Sequence, residues 1–359
     1  MKLIIDSAAL NKALKIISPA IKANSVIHLT QSVLVDVQKS ECLITAIDLG
    51  LTITQKVNCE SVEKFKAVLP FLELRNIVSV LPTQPITIEV SDKLIEVRTN
   101  EKSWKLGKSE DVKNFPNIPM FEPQFEFDAD SEFLYHLQLA TNCTSKDTNQ
   151  IHFTNVCIEL KDSCVKLLST DGLQLFQYER NFKKGEKQMC VDIGFIKALK
   201  AIESGKLESG GNFLKVSTDE TTIIGILSEQ KFPDTAMFFQ PYEHNCSIIR
   251  SALLTAINEL MVFKSDLYMV VLNFEKKDKI SIKFNDYDFE QSFETEIDAV
   301  HSVDIKQIAF NGTILKNLLT LIPDTEEIKL SITNEKALVH LDPFENKDLK
   351  LIILPMFLN

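Results

Sequence analysis

Two kinds of amphipathic helix recur through the chain at a spacing of about 120 residues, and this recurrence limits the fold more than any single motif. Leu10, Leu14 and Ile17 mark one apolar face, Phe133, Leu137 and Ala140 a second, and Ile249, Leu253 and Ala256 a third, each following the i, i+4, i+7 rule. The other kind appears at Leu74-Ile77-Leu81, Phe195-Leu199-Ile202 and Leu315-Leu318-Ile322. After each of these comes a pair of alternating strands: Ile86 to Val90 with Leu94 to Arg98, Phe213 to Ser217 with Thr222 to Leu227, and Ile328 to Ile332 with Ala337 to Leu341. Further strand pairs lie between the two helices, such as Val33 to Val37 with Cys42 to Ile47. The chain therefore reads as an α+β protein of three copies of a two-helix, many-strand unit, divided 1–122, 123–243 and 244–359. Joints are expected at Phe121-Glu122-Pro123 and at Gln240-Pro241-Tyr242-Glu243.

Composition excludes several classes. With 39 Lys and Arg against 50 Asp and Glu, the net charge of -11 argues against a protein that simply coats nucleic acid with a basic surface. The six helical segments carry a small positive balance, so the rest is more acidic than the whole. No secretory leader and no apolar run long enough for a membrane span is visible, and the 7 Cys show no CxxC spacing. A cytoplasmic, reduced protein is expected. There is no phosphate-cradling glycine loop, no zinc-protease motif and no nucleophile elbow. His28, His136, His152, His244, His301 and His340 do not cluster, so no catalytic residue, metal site or cofactor is expected.

Several landmarks stand in order: Thr45-Ala46-Ile47-Asp48-Leu49, Phe115-Pro116-Asn117, Ser169-Thr170-Asp171-Gly172, Phe232-Pro233-Asp234 and Leu354-Pro355-Met356. Together with the threefold unit and the length, they make the chain resemble the bacterial DNA polymerase III beta subunit, the beta sliding clamp. The resemblance spans the whole chain. It implies three clamp domains per chain and a homodimeric ring around double-stranded DNA, helices inside and sheets outside, that holds the replicative polymerase without chemistry of its own. Two other readings are a scaffold of the same fold that encircles nothing, and a hydrolase using dispersed carboxylates.

By this resemblance, a pocket for short linear peptides from the polymerase and the clamp loader is expected. Its residues are Phe153, Thr170, Gly172, Leu173, Leu175, Pro233, Met237, Phe238, Ile352, Leu354, Pro355, Met356, Phe357 and Leu358. Inner-wall neighbours of DNA phosphates are expected among Lys12, Lys15, Lys22, Lys197, Lys200, Lys206, Arg250 and Lys316, and dimer contacts at Leu74, Arg75, Met261 and Val262. The chain departs from the family after Asp-Gly (Leu173-Gln174), after Phe-Pro-Asp (Thr235-Ala236-Met237) and at Phe357, which makes the expected pocket more apolar and less basic than is usual. Removing Met356 to Asn359 is expected to leave folding nearly unchanged.

Overall fold

The computed structural model describes residues 1–22, 31–91, 93–107, 110–182, 185–239, 242–263, 265, 268–286, 289–322, 326–344 and 346–358. Asp92 of the first expected hairpin, Gln240 and Pro241 of the second joint, and Asn359 lie outside this set.

The same element order occurs three times among the described residues. The first repeat runs β1 (Lys2–Asp6), α1 (Ser7–Ile17), β2 (Ser32–Val37), β3 (Glu41–Ile47), β4 (Leu51–Asn58), β5 (Phe65–Pro70), α2 (Phe71–Ser79), β6 (Pro85–Val90), β7 (Ile95–Arg98) and β8 (Ser103–Leu106). The second runs β9 (Phe125–Ala129), α3 (Ser131–Ala140), β10 (Asn155–Lys161), β11 (Cys164–Thr170), β12 (Gln174–Asn181), β13 (Lys187–Asp192), α4 (Ile193–Ala198), β14 (Gly205–Gly210), β15 (Phe213–Ser217) and β16 (Thr221–Ser228). The third runs β17 (His244–Ile249), α5 (Arg250–Leu260), β18 (Met269–Lys276), β19 (Lys279–Asp286), β20 (Gln291–His301), β21 (Gln307–Asn311), α6 (Gly312–Thr320), β22 (Glu327–Ile332), β23 (Val339–Pro343) and β24 (Leu349–Ile353).

Local chemistry starts and orients the helices. Asp6 caps α1 by accepting from the Ala9 N–H, Asp130 accepts from Phe133 N–H at α3, and Asn311 accepts from Thr313 and Ile314 at α6. Each such cap contributes about 1 kcal/mol. The periodic faces are buried: Leu10, Leu14 and Ile17, then Phe133, Leu137 and Ala140, then Leu253, Ala256, Ile257 and Leu260. Ile249 departs from the expected face, because it precedes the first turn of α5 as its N-cap and is half exposed. Leu81, Ile202 and Ile322 likewise fall beyond the ends of their helices.

The chain divides into two compact units, Met1–Tyr135 with Val191–Glu229, and His136–Cys190 with Gln230–Asn359. In the first, β1-β6-β7-β8 form one antiparallel sheet, and β9-β14-β15-β16-β4-β3-β2-β5 form another. In the second, the orders are β20-β19-β18-β21 and β10-β11-β12-β24-β23-β22-β17. Repeat and compact unit are therefore different divisions. The sheet runs on from one repeat into the next, at β4–β16 and at β12–β24.

The pairing also corrects one strand equivalence. The expected hairpins at β6–β7 and β22–β23 correspond to β14–β15, not to β15–β16. β14 hides from pattern reading because it begins and ends in glycine and buries Glu208 and Ser209. A Cβ on Gly210 would lie 2.2 Å from the Glu122 carbonyl oxygen, so that strand end admits no side chain.

Candidate peptide pocket, basic residues and open strand edges

The turn between β11 and β12 builds one wall of an apolar cavity in the second unit. Gly172 sits at φ +90, a conformation that favours glycine. Asp171 spends its carboxylate inside the turn: Oδ1 accepts from Leu173 and Gln174 N–H, and Oδ2 accepts from the Gln174 side-chain amide at 2.8 Å. Thr170 Oγ1 donates to the Gln174 carbonyl at 2.6 Å. The end of β24 closes on this turn, with Leu175 opposite Ile352 and Leu354 N–H donating to the Leu173 carbonyl at 2.8 Å.

The cavity measures about 310 Å³, in the range of small-ligand sites. The structure brings Phe153, Thr170, Gly172, Leu173, Leu175, Pro233, Phe238, Ile352 and Leu354 to its walls. Gln174 and Leu338 also line it and were not anticipated. Gln174 reads as an ordinary strand residue. Its role shows in its hydrogen bonds, the side-chain amide donating to Asp171 and Oε1 accepting from Asn317 and from the Cys143 thiol. Among the described residues no charged side chain lines the cavity, so it suits aliphatic or aromatic anchors.

Phe238 is held from behind. Its carbonyl accepts from the Tyr242 hydroxyl at 3.1 Å and from His340 Nε2 at 3.0 Å. His340 contacts the rings of Phe239 and Tyr242. Burial pushes its pKa down to about 4, so it is neutral at pH 7. Burial pushes the nearby Asp342 carboxyl up to about 6.

Five expected pocket residues do not line the cavity. Met237 and Phe357 are exposed, Leu358 is partly exposed, and Pro355 is buried. Met356 bridges to β21, its N–H donating to the Ala309 carbonyl at 2.8 Å. The apolar tail is thus partly tied into its own repeat.

The basic residues separate by environment. Lys12 and Lys15 on α1, and Lys197 on α4 with Lys200 just beyond it, are exposed, and Lys316 on α6 is partly exposed. Lys22 is exposed but ion-paired with Asp48 at 2.7 Å. Lys206 belongs to strand β14, not to a helix, and pairs with Glu126 at 2.7 Å. Arg250 corrects the sequence expectation: it is buried, and its Nε donates to the Leu319 carbonyl at 2.8 Å, so it is not available to a phosphate. Leu74 is corrected as an interface residue in the same way, being 1% exposed on the buried face of α2. Arg75 is exposed, 5.6 Å from the Phe71 ring centroid. Val262 is exposed and Met261 partly so.

Of the strands equivalent to those that join one repeat to the next, two pair on one side only among the described residues. β4 and β12 each pair on both sides, and so do β16 and β24. Their counterparts are β20, which over Gln291–Asp298 pairs only with β19, and β8, which pairs only with β7. No group of three or more His, Cys, Asp or Glu among the described residues is placed to hold a metal ion. No helix among them is long and apolar enough to cross a membrane.

Three repeats of this kind, joined strand to strand, define the sliding-clamp fold. Residues 1–119 match the family model described as DNA polymerase III beta subunit, N-terminal domain. Over 99% of its length the chain is 20% identical to the whole beta sliding clamp of Pseudomonas putida. The crystal structure of the DNA polymerase III subunit beta from Pseudomonas aeruginosa superposes over all of both chains with TM-score 0.92 at 19% identity. That of the DNA polymerase sliding clamp from Bacillus subtilis does so with TM-score 0.93 at 17% identity. The resemblance read from the sequence landmarks therefore extends over the full length, and the fold is that of the beta sliding clamp.

Proposed function

We propose that this chain is a DNA sliding clamp: two copies close head to tail into a ring around duplex DNA and tether the replicative polymerase. The observation that carries this reading is the pair of open edges. The fold joins repeats through β4–β16 and β12–β24, and the third equivalent join, β20 to β8, has no partner within one chain. Pairing β8 with β20 of a second copy, twice, satisfies both edges and stops growth. On this reading the join follows the register of β4–β16 and β12–β24, with Trp104 opposite Ser292 of the partner subunit.

The helices support the same join. Asn317 on α6 donates to the Asn142 carbonyl just beyond α3. The equivalent positions, Asn76 on α2 and Met261 beyond α5, lie beside Arg75 and Val262. These two residues, with Met261, form the proposed interface. On this reading the three clamp domains are residues 1–122, 123–243 and 244–359.

Lys12, Lys15, Lys197, Lys200 and Lys316 face the DNA in loose, sequence-independent contacts, while the acidic remainder keeps the ring from sticking. Retention comes from topology, and tethering makes polymerase rebinding intramolecular. Partners dock leucine or phenylalanine anchors in the cavity beside Gly172. Burying each gives about 1.5–3 kcal/mol, so two or three anchors yield roughly micromolar affinity after ordering costs. Sedimentation equilibrium tests the ring directly. The expected mass at micromolar concentration is twice that of the 40.7 kDa chain, and a monomer there contradicts the proposal.

A further inference from the structure

The first compact unit contains a second cavity of about 330 Å³, built by the same parts as the one beside Gly172. The turn between β3 and β4 replaces that between β11 and β12, Pro116 replaces Pro233, and the end of β16 replaces the end of β24. The closing hydrogen bond repeats as well: Ile226 N–H donates to the Gly50 carbonyl at 3.1 Å, as Leu354 N–H does to Leu173. Strand register makes Ile226 the counterpart of Leu354, and Phe213 that of Leu338.

One difference separates the two cavities. Asp171 uses both carboxylate oxygens within its own turn and does not line its cavity. The equivalent Asp48 lines the second cavity, and its carboxylate pairs with the exposed Lys22 ammonium at 2.7 Å. Beside it Leu49 is 77% exposed and Ile226 44% exposed, an apolar rim around one carboxylate.

We propose that this second cavity is a further docking site for short linear peptides, and that it selects those with a leucine or phenylalanine anchor flanked by a lysine or arginine. The peptide cation takes the place of Lys22 at Asp48, and the anchor enters between Pro116, Phe213 and Ile226. The proposal rests on the peptide reading of the first cavity. It adds that each chain carries two unlike sites, so that one ring can hold a partner with a basic-flanked motif while the first cavities are occupied.

Titration calorimetry on the full chain tests this with two blocked peptides, one containing two leucines and a phenylalanine among serines, the other the same with lysine at both ends. The expected result is two lysine-ended peptides bound per chain. One is lost in Ile226→Arg, the other in Leu354→Arg, and Asp48→Asn weakens only the former, by about threefold to fivefold. If Ile226→Arg fails to fold, Leu49→Arg on the exposed rim serves the same purpose. A single peptide per chain, lost in Leu354→Arg and unaffected by Ile226→Arg or Leu49→Arg, overturns the second site and leaves the first standing. A single peptide lost only in Ile226→Arg supports the second site and overturns the first. No binding of either peptide overturns both.

Discussion

His340, which donates to the Phe238 carbonyl, makes stability depend on pH. Its folded pKa, pushed down by burial to about 4, lies below the unfolded value, so on acidification the unfolded state takes the proton first. Stability is therefore lost as pH falls from about 6.5 to about 4, at up to about 1.4 kcal/mol per pH unit. Asp342 acts in the opposite sense. Its folded pKa is raised to about 6, so its protonation stabilises the fold as pH falls through that value. Thermal melts of Asp342→Asn should show a steeper acid loss than the parent chain, and adding His340→Gln should flatten it. A second residue-scale contrast concerns the basic side chains. Arg250→Ala removes a buried charge-assisted hydrogen bond and should cost about 2–3 kcal/mol in denaturant unfolding. The pair Lys197→Glu with Lys200→Glu should change stability by less than about 0.5 kcal/mol while weakening loading onto DNA.

At the scale of elements, β8 carries the single tryptophan of the chain, partly exposed at the open edge. Its emission should shift to the red on dilution as the join with β20 opens, and the shift should track the fall in mass. The tail behaves differently from a free peptide. Pro355 is buried and Met356 bridges to Ala309, so deleting Met356 to Asn359 should lower the melting temperature as well as weaken peptide binding. Leu354→Arg is the cleaner probe of the pocket.

These cases show what a sequence exposes and what it hides. Helix faces such as Leu10-Leu14-Ile17 were legible because burial alone fixes their period. β14 was not, since glycines and buried polar residues break its alternation. Arg250 was misplaced because a charged residue is normally outside, and only the Leu319 carbonyl explains its burial. Most of the cavity was legible through resemblance, whereas Gln174 and Leu338 join it through turn and register geometry.

For the whole molecule, the count of joins decides the function proposed here. Each chain satisfies two of three equivalent strand joins and leaves the ends of the third on β8 and β20. In the proposed ring, two chains supply six repeats with every join made, a closed assembly that needs no tight grip on DNA. An acidic chain of net charge -11 suits that design, because a ring held by topology must not also be held by contact. The most direct measurement is retention on a circular duplex, loaded by the cell's clamp loader, before and after a single cut far from any bound protein. The ring account predicts stable retention on the circle and loss from the free ends once the circle is opened. Equal retention on circular and linear DNA would contradict it.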